Sequence, residues 1–316
     1  MLKNKNLLIN GIKWLIMLIA YGYLVYKLAN VQYWSELKHS FENINLYRFL
    51  ILLSIFILMP LNWGLEALKW QILTRNLVKL SFLEAFKSVL AGLNTGFITP
   101  SRFGDFIGRV IYIPHAHRLS GILMSFVNGF IQTLVVTVFG LISTYYYSVY
   151  FHTSFDFSKY ILSATILLIV LVGIYFLFPS IFNKLKEKKW AAKIQDTIKS
   201  LSELNYKTLI LAFLLSSIRF ALFCFQYYLM LWFFNIELTP FQSIIGIPTM
   251  YLAITYAPTL AASEAAVRAS IAVLILGVFS RNEISILLTG ILIWLINYIL
   301  PMMAGSVFVV KKEQKK

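Results

Sequence analysis

Two short charge patterns stand inside otherwise apolar sequence. Asp105 precedes Arg109 by four residues, and Glu264 precedes Arg268 by four. On a helix this spacing puts carboxylate and guanidinium one turn apart on the same face. Arg102 lies beside the first pattern, Asn94 precedes it, and Arg219 sits in a separate apolar stretch. Arginine can grip a phosphate with paired N–H groups, and a neighbouring carboxylate can hold it in place or take a proton. The candidate binding residues are therefore Arg102, Asp105, Arg109, Glu264, Arg268, Asn94 and Arg219. Arg102, Arg109 and Arg268 would contact the phosphate. A purely structural use of the same charges, ion pairs that hold helices together, is the alternative.

The elements that must position these residues are membrane helices. Of 316 residues, 59% are hydrophobic and 13% charged, against about 25% charged in a soluble domain. Runs of 18 or more apolar residues are long enough to cross a hydrocarbon layer of about 30 Å. Six segments read as full crossings: 7–28, 46–70, 119–149, 160–179, 206–234 and 284–310. The third is about 46 Å of helix at 1.5 Å per residue, so it tilts or protrudes. Asn45 caps the second span, and Ser280-Arg281-Asn282-Glu283 reads as a capping box for the last, which Pro301 is expected to kink. The N-terminus resembles a signal peptide, but Lys13 interrupts its apolar run and no clear cleavage site follows. It is read as a retained span.

The net charge of +15 is distributed as a membrane protein marks its cytoplasmic loops. Basic residues gather at Lys3/Lys5, Lys69–Lys79, Lys184–Lys207 and Lys311–Lys316. All of them fall on one side if both termini are cytoplasmic and segments 81–117 and 239–279 return to the side they enter from. Each of these segments reads as helix, polar break, helix. The first carries the capping box Ser81–Glu84, a break at 94–100 and a cap at Ser101. The second opens on Thr239-Pro240 and breaks at 255–259. Arms of about 16 residues reach about 24 Å, enough for the bilayer centre. The expected fold is thus an all-α integral membrane protein, a single polytopic domain of about six transmembrane helices plus two re-entrant helical hairpins. Phe86–Gly92 echoes Phe241–Gly246, and each break is followed by a carboxylate–arginine pair. Hairpins entering from opposite sides make a pseudo-inverted repeat, an arrangement that binds substrate near the midplane.

An unpaired charge at the bilayer centre costs roughly 2.5–3.5 kcal/mol, so these groups must pair or face water. Three arginines against two carboxylates, with Arg219 as a further cation and two half-helix N-termini, favour an anion. Other polar residues read more plainly. Asn62, Glu66 and Lys69 share one helix face, and Lys69 can reach the headgroups. Asn128 and Gln132 read as helix–helix hydrogen-bonding groups. Tyr145–Tyr147 and Tyr150 read as an interfacial belt, and Lys184–Lys199 as a surface helix on an anionic leaflet. Cys224 is the only cysteine, which excludes a disulfide, and His115/His117 lack companion ligands for a metal. No cofactor and no nucleic-acid partner is expected.

The run Leu93-Asn94-Thr95-Gly96-Phe97-Ile98-Thr99-Pro100-Ser101-Arg102-Phe103-Gly104-Asp105-Phe106-Ile107-Gly108-Arg109 resembles the signature of the lysylphosphatidylglycerol synthase transmembrane family. Asn62…Lys69-Trp70 and Pro258…Ser263-Glu264-Ala265 resemble it in the expected order, and the resemblance covers about 10–310. Where the family usually has a glycine-rich turn, this sequence has Thr259-Leu260-Ala261-Ala262. The resemblance implies a flippase-like domain that handles a lipid in a bacterial-type inner membrane. In two-part members a soluble domain aminoacylates phosphatidylglycerol. The present sequence is similar to the membrane half and is expected to be a transporter, not an enzyme. A membrane enzyme acting on lipid phosphates or polyprenyl-linked sugars is the runner-up, although the sequence holds no HExxH, GxSxG or paired-Asp metal motif. A scaffold for a lipid-modifying partner enzyme is a third reading.

Overall fold

The computed structural model describes residues 45–99, 103–151, 158–185, 195–258 and 263–313. Every regular element among them is helical. The first are α1 (Leu46–Thr74), α2 (Phe82–Ile98) and α3 (Phe103–Arg109), followed by 3-10 turns at Val110–Tyr112 and His115–His117. Next come α4 (Arg118–Phe151), α5 (Ser158–Leu185), α6 (Gln195–Ser202) and α7 (Tyr206–Phe233). The chain closes with α8 (Pro240–Tyr256), α9 (Glu264–Leu276), α10 (Glu283–Trp294), a π turn (Leu295–Ile299) and α11 (Leu300–Glu313). Five stretches are long and apolar enough to span a bilayer: 46–74, 115–151, 163–184, 206–233 and 283–308. They correspond to the second through sixth expected crossings. The first, 7–28, lies outside the described residues.

Local chemistry explains most helix starts. Asn45 Oδ1 accepts from Arg48 N at 2.9 Å. Ser81 and Glu84 form the expected reciprocal box, and Thr239 forms another with Gln242 ahead of Pro240. The box expected at Ser280 is not formed. Asn282 caps α10, its Oδ1 accepting from Ser285 N at 3.1 Å, while Ser280 Oγ accepts from Asn282 N. The last span changes character ahead of Pro301, in the π turn. Pro301 has no N–H for the carbonyl of Asn297, and widening the helix there accommodates the lost bond.

The first polar break is shorter than its composition suggests. Helix α2 runs through Asn94, Thr95 and Gly96 to Ile98, and the bend begins at Thr99. Thr95 stays helical because its Oγ1 bonds back to Ala91 O at 3.0 Å and also meets Gly104 O at 2.7 Å on the returning arm. The arms are also less equal than expected. α2 and α8 have 17 residues each and α9 has 13, but α3 has only 7 before the chain tightens into 3-10 turns near Pro114.

The chain divides into two compact units. The first comprises residues within 1–59, 140–154 and 223–297, the second those within 60–139, 155–222 and 298–316. Each takes one stretch of α1, α4 and α7, and each holds one helix–break–helix pair: α8 and α9 in the first, α2 and α3 in the second.

The first unit has an apolar core including Ile55, Phe233, Met250, Leu276 and Ile286. Gln226 inside it donates to Ile55 O at 2.8 Å and accepts from Asn297 Nδ2 at 2.8 Å. Tyr147 departs from the expected aromatic belt: it is buried, and its hydroxyl donates to Ile275 O at 2.8 Å. Tyr145, Tyr146 and Tyr150 are exposed, as a belt requires.

The second unit buries a polar and ionic network among apolar side chains, and it also exposes large apolar side chains. On α1, Leu61 and Leu68 face out while Asn62, Glu66 and Lys69 are buried. On α5, Ile166, Leu167, Ile169, Val170, Ile174 and Leu177 are exposed. Such a surface belongs against lipid tails, where backbone groups are satisfied within the helices. Helix α6, which holds residues 195–199 of the expected surface helix, buries Thr197 and Ile198, with Ser200 and Leu201 beyond them, in this unit. Ser120 Oγ donates to Thr197 Oγ1 at 3.0 Å.

Candidate functional site

A buried glutamate organises the interior of the second unit. Glu66 Oε1 lies 2.9 Å from Arg109 Nη1 and accepts from Asn128 Nδ2 at 2.6 Å. Its Oε2 lies 2.9 Å from Lys69 Nζ and 3.3 Å from Arg219 Nη1. One carboxylate thus meets three cations brought by three helices.

Each cation is further fixed. Lys69 Nζ donates to Ser216 Oγ at 3.1 Å and to Asn128 O at 3.3 Å. Arg219 donates through Nε to Asn62 Oδ1 at 2.9 Å and through Nη1 to Gln132 Oε1 at 3.1 Å. Arg109 donates through Nε and Nη2 to both oxygens of Asp105, each at 3.1 Å. The guanidinium of Arg109 lies 5.8 Å from the ring centre of Trp70, and that of Arg219 lies 4.9 Å from that of Trp63. Both distances are within the range of a cation–π contact.

The hairpin presents Arg109 to this network by close backbone approach. Gly104 and Gly108 of α3 are buried against α2. A Cβ on Gly108 would collide with Thr95 Oγ1 and lie 2.6 Å from Ala91 O and 2.8 Å from Gly92 Cα. Only glycine lets the arms meet this closely, and the next residue is Arg109.

A cavity of about 300 Å³ adjoins the network, lined by Trp63, Glu66, Gly96, Phe97, Asp105, Arg109, Asn128, Gln132, Arg219 and Tyr298 among others. This lies at the small end of ligand sites and corresponds to roughly ten waters. It suits a headgroup better than a whole lipid. Two further lining residues, Gly129 and Thr133 of α4, are exposed, so the cavity opens on that side. On the same helix Phe126, three residues before Gly129, is exposed, and Phe106 of α3 packs on it at 6.2 Å between ring centres.

The sequence-derived residues divide as follows. Asp105, Arg109 and Arg219 come together at the cavity. Asn94 is in the same unit, donating to Met302 O at 3.4 Å, outside the cavity lining. Glu264 and Arg268 belong to the other unit and pair with each other at 2.8 Å, as their spacing predicted. Arg102 lies outside the described residues. Lys69 does not reach for headgroups but is fully buried in the network. Asn128 and Gln132 do more than join helices, since each holds a charged group of the cluster. Sequence reasoning missed Glu66 as the centre. Its signal was Asn62, Glu66 and Lys69 at helical spacing, with Trp63 and Trp70 beside them. Among the described residues, no three His, Cys, Asp or Glu side chains come together in a group that could hold a metal.

Helical in every described element, with five helices long and apolar enough to span a bilayer, this is a polytopic membrane protein with a charged cavity. The chain belongs to the lysylphosphatidylglycerol synthase TM region family, whose model matches residues 13–307. No curated protein and no solved structure matches it.

Proposed function

We propose that this protein transports a lipid across the inner membrane, holding an anionic phosphodiester headgroup in the cavity of the second unit. One observation carries the reading: at an open cavity, the described cluster sets three cations, Lys69, Arg109 and Arg219, against two carboxylates, Glu66 and Asp105. The excess is one positive charge, the complement of one phosphodiester. Family membership supports a role in lipid modification or transport. In this reading the opening at Gly129 and Thr133 leaves the acyl chains in the bilayer while the headgroup enters. The presence of one helical pair in each unit supports the inverted-repeat reading, in which Glu264 and Arg268 serve the second hairpin. We read the hairpins as re-entrant and both termini as cytoplasmic. A reporter fused near Lys184 tests this, because activity on the external side would invert the topology.

The functional test is Arg219→Gln. This substitution removes the excess charge but leaves Glu66 paired with Lys69 and Arg109, so the fold should tolerate it. In proteoliposomes, headgroup-labelled phosphatidylglycerol should redistribute between leaflets with the wild type and at least tenfold more slowly with the variant. Equal rates would sink the proposal. Lipid turnover measured in the same vesicles separates transport from the enzyme reading, and a scaffold would show neither activity.

A further inference from the structure

The two carboxylates on Arg109 are not equivalent. Glu66 comes from a spanning helix, its side chain is 3% exposed, and it also meets Lys69 and Arg219. Asp105 comes from the same short helix as Arg109, its side chain is 26% exposed, and it lines the cavity. The side chains of Arg109 and Arg219 are 6% and 9% exposed. Asp105 is therefore the most open charge of the cluster, and it occupies the guanidinium edge formed by Nε and Nη2. Such a paired edge can grip two oxygens of a phosphate.

We infer that Asp105 occupies the place on Arg109 that the phosphate of the ligand takes, and that it limits the affinity of the site by competing for that edge. This rests on the reading of the cavity as a phosphodiester site. Glu66 is the permanent counter-ion and Asp105 the exchangeable one. The exchange is local, because Asp105 and Arg109 lie one turn apart on one helix, while the contact docking that helix to α1, Arg109 to Glu66, stays in place. A ligand phosphate entering the cluster also brings three cations and two carboxylates to neutrality, so the displaced Asp105 leaves no net charge behind. A supporting role, in which Asp105 merely orients Arg109 for the ligand, predicts the opposite sign when the carboxylate is removed.

The test is binding of dihexanoyl phosphatidylglycerol and, separately, inorganic phosphate to detergent-purified full-length protein, titrated by tryptophan fluorescence and by calorimetry. Asp105→Asn and Asp105→Ala should both bind the lipid roughly tenfold more tightly than wild type, whereas Arg219→Gln should bind it more weakly. Two variants of different shape guard against one failing to fold, and thermal melting verifies each. Tighter lipid binding supports the inference whether or not inorganic phosphate also tightens. The phosphate arm decides whether the bare anion suffices or the rest of the headgroup is needed. Unchanged or weaker binding in the Asp105 variants, with wild-type binding intact, overturns the inference and leaves the phosphodiester site standing. If neither the wild type nor any Asp105 variant binds either probe, both fall.

Discussion

Glu66→Gln should be the most damaging single change in the second unit. The glutamine keeps the shape but removes the one charge that faces Lys69, Arg109 and Arg219 together. Only Asp105 would remain against three buried cations. Removing one member of a buried pair typically costs about 3–5 kcal/mol, because the partner stays charged and uncompensated. Here two cations lose their balance at once, so the loss belongs at the upper end of that range. The melting temperature in detergent should fall on the order of 10 °C. Adding Lys69→Met should restore part of it, since Arg109 keeps Asp105 and Arg219 keeps Asn62 and Gln132. A Glu66→Gln protein that melts like the wild type would show that the cluster is already screened by water.

Gly108→Ala should have the next largest effect, by a different route. The added methyl would meet Thr95 Oγ1, Ala91 O and Gly92 Cα, of which two are backbone atoms of α2 that cannot rotate aside. Overpacking commonly costs about 1–3 kcal/mol. The separation of the arms would also move Arg109 relative to Glu66, so lipid transport should fall further than stability alone explains. Gly129→Ala is the matched control. It lines the same cavity, but nothing lies within 4 Å of its added Cβ. In a helix interior alanine is favoured over glycine by up to about 1 kcal/mol, so this variant should melt at or slightly above the wild-type temperature. Similar losses in both variants would remove the close arm contact as the cause.

The sequence was most legible where the physics is local. Spans follow from length and hydropathy, and 46–74, 206–233 and the others end close to where apolar runs end. The pairs Asp105–Arg109 and Glu264–Arg268 follow from one helical turn. The caps at Asn45, Ser81 and Thr239 depend on neighbours three residues away. What depended on distant partners was harder to read. Lys69 near a helix end has a plausible fate in the headgroups, and nothing nearby shows that Ser216 and Asn128 help hold it inside. Asn128 and Gln132 read as generic polar pairing because their partners, Glu66 and Arg219, lie on other helices. The break at 94–100 was overdrawn because Asn, Thr and Gly are weak helix formers. The Thr95–Gly104 bond, which offsets that weakness, crosses between the two arms.

The placement of Glu66 and Lys69 three residues apart on one helix has a consequence for biogenesis. Helix α1 emerges from the ribosome before any other contributor to the network. Arg109 follows Glu66 by 43 residues and Asn128 by 62, while Arg219 follows its partner Asn62 by 157. A lone glutamate delivered to the lipid phase would wait through all that synthesis without a counter-charge, at roughly the 2.5–3.5 kcal/mol that a single intramembrane charge costs on insertion scales. Glu66 instead arrives with Lys69 already one turn away, close enough to neutralise it inside the same segment. The nascent helix therefore enters the bilayer as a self-balanced unit. The arginines are recruited later to a site whose first ion pair was in place from the start.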